Sequence, residues 1–165
     1  MLLDHLAELL PIVYDPVVGD AIEQYSHPFS KVEGLPADII AWSDGKALVA
    51  TGLPIGPTDH NGVRYHFGQA NNALVYPGLG LGTIVSGASA VTDGMLLAAA
   101  RAVSGQADVS QPGASLLPAV ANLRASSATA AIAVARAAAA DGVATRSHDD
   151  LVQAVQDAMW QPVYA

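Results

Sequence analysis

Gly68-Gln-Ala-Asn-Asn-Ala-Leu-Val-Tyr-Pro-Gly-Leu-Gly-Leu-Gly82 is the stretch on which the reading of this chain turns. Its glycines invite comparison with the loop that cradles a dinucleotide pyrophosphate, where a glycine-rich turn follows a strand and opens a helix. The spacing is wrong for that loop. Counted from Gly78, the third glycine of the fingerprint falls on Thr83, and counted from Gly80 it falls on Val85. Small residues that let another element approach closely are the better explanation, and neither a Rossmann fingerprint nor a Walker loop occurs elsewhere. Ahead of the glycines, Asn71 and Asn72 admit two readings. Asparagine is among the best helix N-caps. Two adjacent carboxamides at the positive end of a helix also present donors to a carboxylate.

On the N-terminal side, Leu2, Leu3, Leu6, Leu9 and Leu10 lie at helical spacing up to Pro11, and Asp15-Pro16 reads as an N-cap followed by proline at the first helical position. A short helix to Tyr25 and a connector from Ser26 to Gly34 are expected. Pro36 to Trp42 suits a helical turn, Asp44-Gly45 a turn, and Lys46 to Thr51 a short buried strand ended by Gly52 and Pro54. Pro57 to Gly62 reads as a loop, its Asn61-Gly62 favouring positive φ and leading into Val63 to Phe67 as an edge strand.

On the C-terminal side the pattern is helical. A broken segment covers 72–88, and Thr92 caps a helix over 93–104 with Leu96, Ala100 and Val103 on one face. After a loop from Gly105 to Gly113, an alanine-rich helix at about 119–141 ends at Gly142; being apolar nearly all round, it predicts deep burial. Ser147-His-Asp-Asp150 opens a last helix with Leu151, Val152, Val155 and Met159 inward, and Asp149-Asp150 reads as a pair of first-turn dipole partners. With two or three short strands visible, the fold class is α/β and predominantly helical.

Composition bounds the function. At 165 residues and 52% hydrophobic the chain can bury a real core, roughly 70% of its unfolded surface. The 15 acidic residues outnumber 7 dispersed basic ones, so nucleic acid and an anionic membrane are poor partners. Without cysteine there is no disulfide framework and no thiolate metal site. Met1-Leu-Leu-Asp-His-Leu-Ala-Glu8 lacks the basic start of a signal peptide, and Ala128 to Ala140 is cut by Arg136 and falls short of the ~20 residues of a membrane span; a cytoplasmic protein is expected. The five histidines, His5, His27, His60, His66 and His148, show no metal-ligand spacing, and there is no G-x-S-x-G elbow.

Two motifs resemble malic enzymes. Leu10-Pro-Ile-Val-Tyr-Asp-Pro-Val-Val-Gly-Asp-Ala21 is similar to the family's N-terminal tyrosine motif, and residues 68–82 to its Gly-Gln-x-Asn-Asn region. Ala50-Thr-Gly-Leu-Pro-Ile55, Thr92-Asp-Gly-Met-Leu-Leu-Ala-Ala-Ala-Arg101 and Ala158-Met-Trp-Gln-Pro-Val-Tyr164 add to the likeness. The resemblance implies an N-terminal malic-enzyme-like helical segment at 1–34, and at 35–165 an incomplete remnant of the Rossmann-type NAD-binding domain with C-terminal helices. It implies oxidative decarboxylation of malate to pyruvate and CO2 with NAD(P) and Mg or Mn, in a homo-oligomer or with a partner subunit. Tyr14 becomes the general acid that protonates the enolpyruvate intermediate, and Asn72 and Asn71 the ligands of the substrate carboxylate.

The chain also departs from the family. Asp15 stands where the family has threonine, and its carboxylate disfavours a neighbouring phenolate. Leu53 and Ile55 replace a hydroxyl and an aromatic on the nicotinamide side. The family's lysine base, substrate arginine, acidic metal triad and nucleotide fingerprint have no counterpart; Lys31 and Lys46, the two lysines, do not match the base. No cofactor-binding or metal-binding residue is therefore assigned. An internal deletion that leaves the isolated chain unable to oxidise malate is expected, the alternatives being a non-catalytic interaction or oligomerisation module, or a gene remnant.

Overall fold

A computed structural model describes residues 34–161, so Tyr14 and the helices expected at 2–10 and 16–25 lie outside the described residues. The described residues divide into two compact units, 34–71 with 104–120, and 72–103 with 121–161.

In the first unit Pro36 occupies the first turn of α1 (Pro36–Trp42), where its missing N–H costs nothing, and Ile39 and Ile40 are buried. The helix stops at Ser43, whose hydroxyl donates to the Ile40 carbonyl (3.2 Å) and accepts from Ala47 N–H (3.0 Å). Asp44 and Gly45, at φ 50° and 77°, then reverse the chain as expected. β1 (Ala50–Thr51) pairs in parallel with β4 (Gly68–Gln69), Ala50 opposite Gly68 and Thr51 opposite Gln69. β2 (Thr58–His60) and β3 (Val63–Tyr65) form an antiparallel hairpin about Asn61-Gly62, at φ 49° and 78°. Two positive φ angles give the turn whose twist matches the flanking strands. Ile39, Ile40, Val49 and Tyr65 make the core.

The four strands differ in detail from the sequence reading. Thr58–His60, read as loop, is a strand because the tight turn brings it against Val63–Tyr65. Of the strand expected at 46–51, only Ala50–Thr51 has a ladder partner.

In the second unit a 3-10 turn, Asn72–Leu74, precedes α2 (Tyr76–Ser86); the break in the helical pattern falls at Val75. α3 (Asp93–Ser104) starts on Thr92, whose Oγ1 accepts Met95 N–H at 3.1 Å and donates to the Asp141 carboxylate. Ala100 and Val103 are buried as expected, with Met95 and Ala99, while Leu96 is half-buried. α4 (Leu123–Ala140) and α5 (Leu151–Ala158) complete the unit. Gly87 and Gly142, at φ 58° and 72°, end α2 and α4.

α2 and α4 meet through α2's glycines. A Cβ on Gly78 would stand 2.5 Å from Ala130 Cβ, and one on Gly82 2.6 Å from the Ala131 carbonyl, whereas Gly80 faces open space. Leu79, Met95, Ala99, Val134 and Ala138 form one cluster and Val85, Ala131 and Val155 another. α4 is not buried on every side: Ser126, Ala130, Val134 and Ala138 lie inward, while Ala125, Thr129, Arg136, Ala139 and Ala140 are exposed. Alanine explains the difference, since its strong helix propensity comes with little apolar surface to hide. Likewise α5 buries Val155 but leaves Val152 exposed, because a helix of two turns can turn only a narrow stripe inward. Asp150 accepts from Gln153 N–H at 3.0 Å and so is its N-cap. The architecture is α/β and predominantly helical.

Candidate functional site

Ligands of open α/β sheets bind outside the carboxyl ends of parallel strands, because the loops that leave those ends carry the unpaired polar groups. β1 and β4 are the parallel pair among the described residues. Their ladder ends with Ala70 N–H donating to the Thr51 carbonyl at 2.8 Å. Beyond it, Thr51, itself 2% exposed, donates from Oγ1 to the Leu53 carbonyl at 2.7 Å. Gln69 Nε2 donates to the Gly52 carbonyl at 3.2 Å. The loops after both strands are thus tied by side chains as well as backbone.

Asn71 follows directly. Its N–H donates to the Gln69 carbonyl at 2.9 Å, a three-residue turn that ends the first unit with Asn71 half-buried. Asn72 opens the second unit; it is exposed, and its carbonyl accepts Val75 N–H at 3.0 Å. Neither asparagine caps α2, whose N-cap position is Val75 without a side-chain hydrogen bond. The capping reading is therefore not realised at that helix. Thr51 and Gln69 were not singled out from sequence. The available signal was a polar residue at the carboxyl end of each strand, and Gln69 sits inside the motif already quoted.

Elsewhere in the first unit, a cavity of about 240 Å³ lies between Tyr65, His66, Phe67 and the loop from Val109 to Ala114. Just before that loop, Asp108 accepts hydrogen bonds from Ser110 Oγ (2.6 Å) and Ser110 N–H (3.0 Å). The Ser110 hydroxyl first, then its amide, holds the Asp108 carboxyl below the usual aspartate value. His60 Nε2 is buried without a hydrogen bond, 3.7 Å from Asp44 Oδ1.

The groups used in nicotinamide-linked oxidation can be tested against these residues. The glycines lie inside α2 rather than in a loop before it, and Gly78 and Gly82 are packed against Ala130, Ala131 and Val134 of α4, so the run does not fit a pyrophosphate. Among the described residues no three or more His, Cys, Asp or Glu side chains come together as a donor set for Mg or Mn. No helix among the described residues is long and apolar enough to cross a membrane.

A short parallel pair with polar residues at its carboxyl ends, in a chain otherwise mostly helical, defines an α/β protein. Comparison with known proteins makes the class specific. Residues 16–139 match the family described as malic enzyme, NAD binding domain. The chain is 55% identical over 157 residues to NAD-dependent malic enzyme 3 of Bacillus subtilis, covering 95% of this chain and 28% of that protein. It is 45% identical over 139 residues to the malolactic enzyme of Lactococcus lactis, covering 84% of this chain and 26% of the other. The crystal structure of malic enzyme from Pyrococcus horikoshii superposes with a TM-score of 0.56 at 29% identity, covering 74% of this chain and 25% of that one. The chain belongs to the malic enzyme family. It spans about a quarter of the length of these relatives.

Proposed function

We propose that this chain carries the substrate-carboxylate end of a malic-enzyme reaction, the oxidative decarboxylation of malate to pyruvate and CO2, without enough of the machinery to run it alone. Asn71 and Asn72 are the ligands of the malate carboxylate, and Tyr14 returns a proton to the enolpyruvate carbon after CO2 has left. The observation that carries the reading is the position of Asn71, immediately beyond the parallel β1–β4 pair in a chain of this family. A carboxamide donates two N–H groups, which suits a carboxylate's two oxygens.

Hydride transfer needs a nicotinamide cofactor, and the family's reaction uses a divalent cation to polarise the C2 oxygen. The second is worth several kcal/mol of transition-state stabilisation, and a positioned acid or base a further factor of about 10² to 10⁴. The isolated chain is therefore expected to form no reduced cofactor from malate with NAD or NADP and Mg or Mn, as read by nicotinamide absorbance. Malate-dependent reduction that disappears in Tyr14→Phe overturns this reading.

A second reading, an oligomer or a partner subunit, is favoured by Trp42, Ile84 and Trp160, which are 67%, 66% and 68% exposed. Light scattering that finds a monomer at every concentration, alone and in cell extract, counts against it.

A further inference from the structure

We infer that Gln69 is a positioning residue for the carboxylate site: its side chain clamps the loop after β1 to the end of β4 and thereby sets the place of Asn71. The inference rests on the reading of Asn71 as a carboxylate ligand. The last backbone link between the two strands runs from Ala70 N–H to the Thr51 carbonyl, and past it neither loop has a ladder to hold it. Gln69 Nε2 supplies the missing link by donating to Gly52 O at 3.2 Å. The same residue's carbonyl accepts Asn71 N–H at 2.9 Å. One residue is thus held at three points: across the ladder opposite Thr51, through its side chain to Gly52, and forward through its carbonyl to Asn71.

The far side of the clamp is itself rigid. Thr51 Oγ1 donates to Leu53 O at 2.7 Å, so the consecutive carbonyls of Gly52 and Leu53 are both occupied by side-chain donors. Pro54 then restricts the next φ. Since the 52–53 peptide is trans and planar, Leu53 N–H points opposite to the clamped carbonyl, and its amide signal reports whether the clamp is closed. Glutamine is the residue this geometry needs. Glutamate would set an acceptor against a carbonyl, and methionine would fill the same volume with no donor.

The test uses the full chain labelled with ¹⁵N and titrated with L-malate, followed through the side-chain carboxamide signal of Asn71 and the backbone amide of Leu53. In the parent chain malate shifts the Asn71 signal saturably. In Gln69→Met the Leu53 amide moves before any ligand is added, the thermal midpoint stays within a few degrees, and malate binds roughly fivefold more weakly, as the loss of one neutral hydrogen bond implies. Gln69→Glu, with a carboxylate added near a dianion, binds more weakly still. Equal malate affinity in the parent and Gln69→Met, with the Leu53 amide displaced, overturns the positioning role and leaves the carboxylate reading standing. A parent Asn71 signal indifferent to malate overturns the carboxylate reading and this inference with it.

Discussion

At the scale of the residue, the candidate site is a matter of which polar groups remain once the ladder ends. Thr51 is buried because its hydroxyl has the Leu53 carbonyl as a partner, and a buried hydroxyl without one would cost free energy. Thr51→Val keeps the shape and removes the donor, so the Leu53 carbonyl loses its bond; a loss of about 1 kcal/mol of unfolding free energy is expected, read as a lower urea midpoint at unchanged slope. The bonds that Asp108 makes depend on pH. Its folded value lies below the ordinary 3.8, so its bonds to Ser110 favour the folded loop fully above that pH and are lost as pH falls through the lowered value. The Ser110 amide resonance is expected to move in that acid range, and Asp108→Asn to abolish the movement. The asparagines were legible as residues of interest because their chemistry is local. The bond from Gln69 to Gly52 was not, since Gly52 is remote in sequence from Gln69 and only the parallel pairing brings the two together.

At the scale of the element, the glycine run shows how one sequence feature can support two readings that differ in three dimensions. The fingerprint fails by spacing, and the alternative, close helix packing, is what α2 uses against α4. Gly78→Ala and Gly82→Ala are each expected to destabilise by about 2 kcal/mol, since a methyl would overlap α4 atoms that cannot withdraw. Gly80→Ala faces open space and is expected to stabilise by roughly 0.5–1 kcal/mol through helix propensity. Urea unfolding with an unchanged slope checks all three. The start of α3 gives a parallel case: Thr92→Ala removes the acceptor of Met95 N–H and the donor to Asp141, and a loss of about 1 kcal/mol is expected, with Thr92→Ser largely restoring it. Caps and turns such as Thr92, Asn61-Gly62 and Gly142 could be read from sequence because they satisfy neighbouring backbone groups. β2 and β4 could not, because strands of three and two residues exist only by virtue of their partners.

At the scale of the whole molecule, the chain spans about a quarter of the length of the relatives it matches, and its described residues leave large apolar side chains in solvent. Both tryptophans are exposed, so the folded chain is expected to emit as a solvent-exposed indole and to be quenched efficiently by acrylamide. Emission that shifts to the blue with rising protein concentration would show Trp42 or Trp160 being covered by another copy.

Sequence by itself determined the family, the predominantly helical α/β class and most boundaries of the helices among the described residues, because periodicity, caps and motif residues act over a few positions. Tertiary structure alone decided which glycines touch α4, which side of α4 meets solvent, and that Gln69 reaches Gly52. Each of these depends on distances between residues far apart in the chain, and chain order does not encode such distances locally.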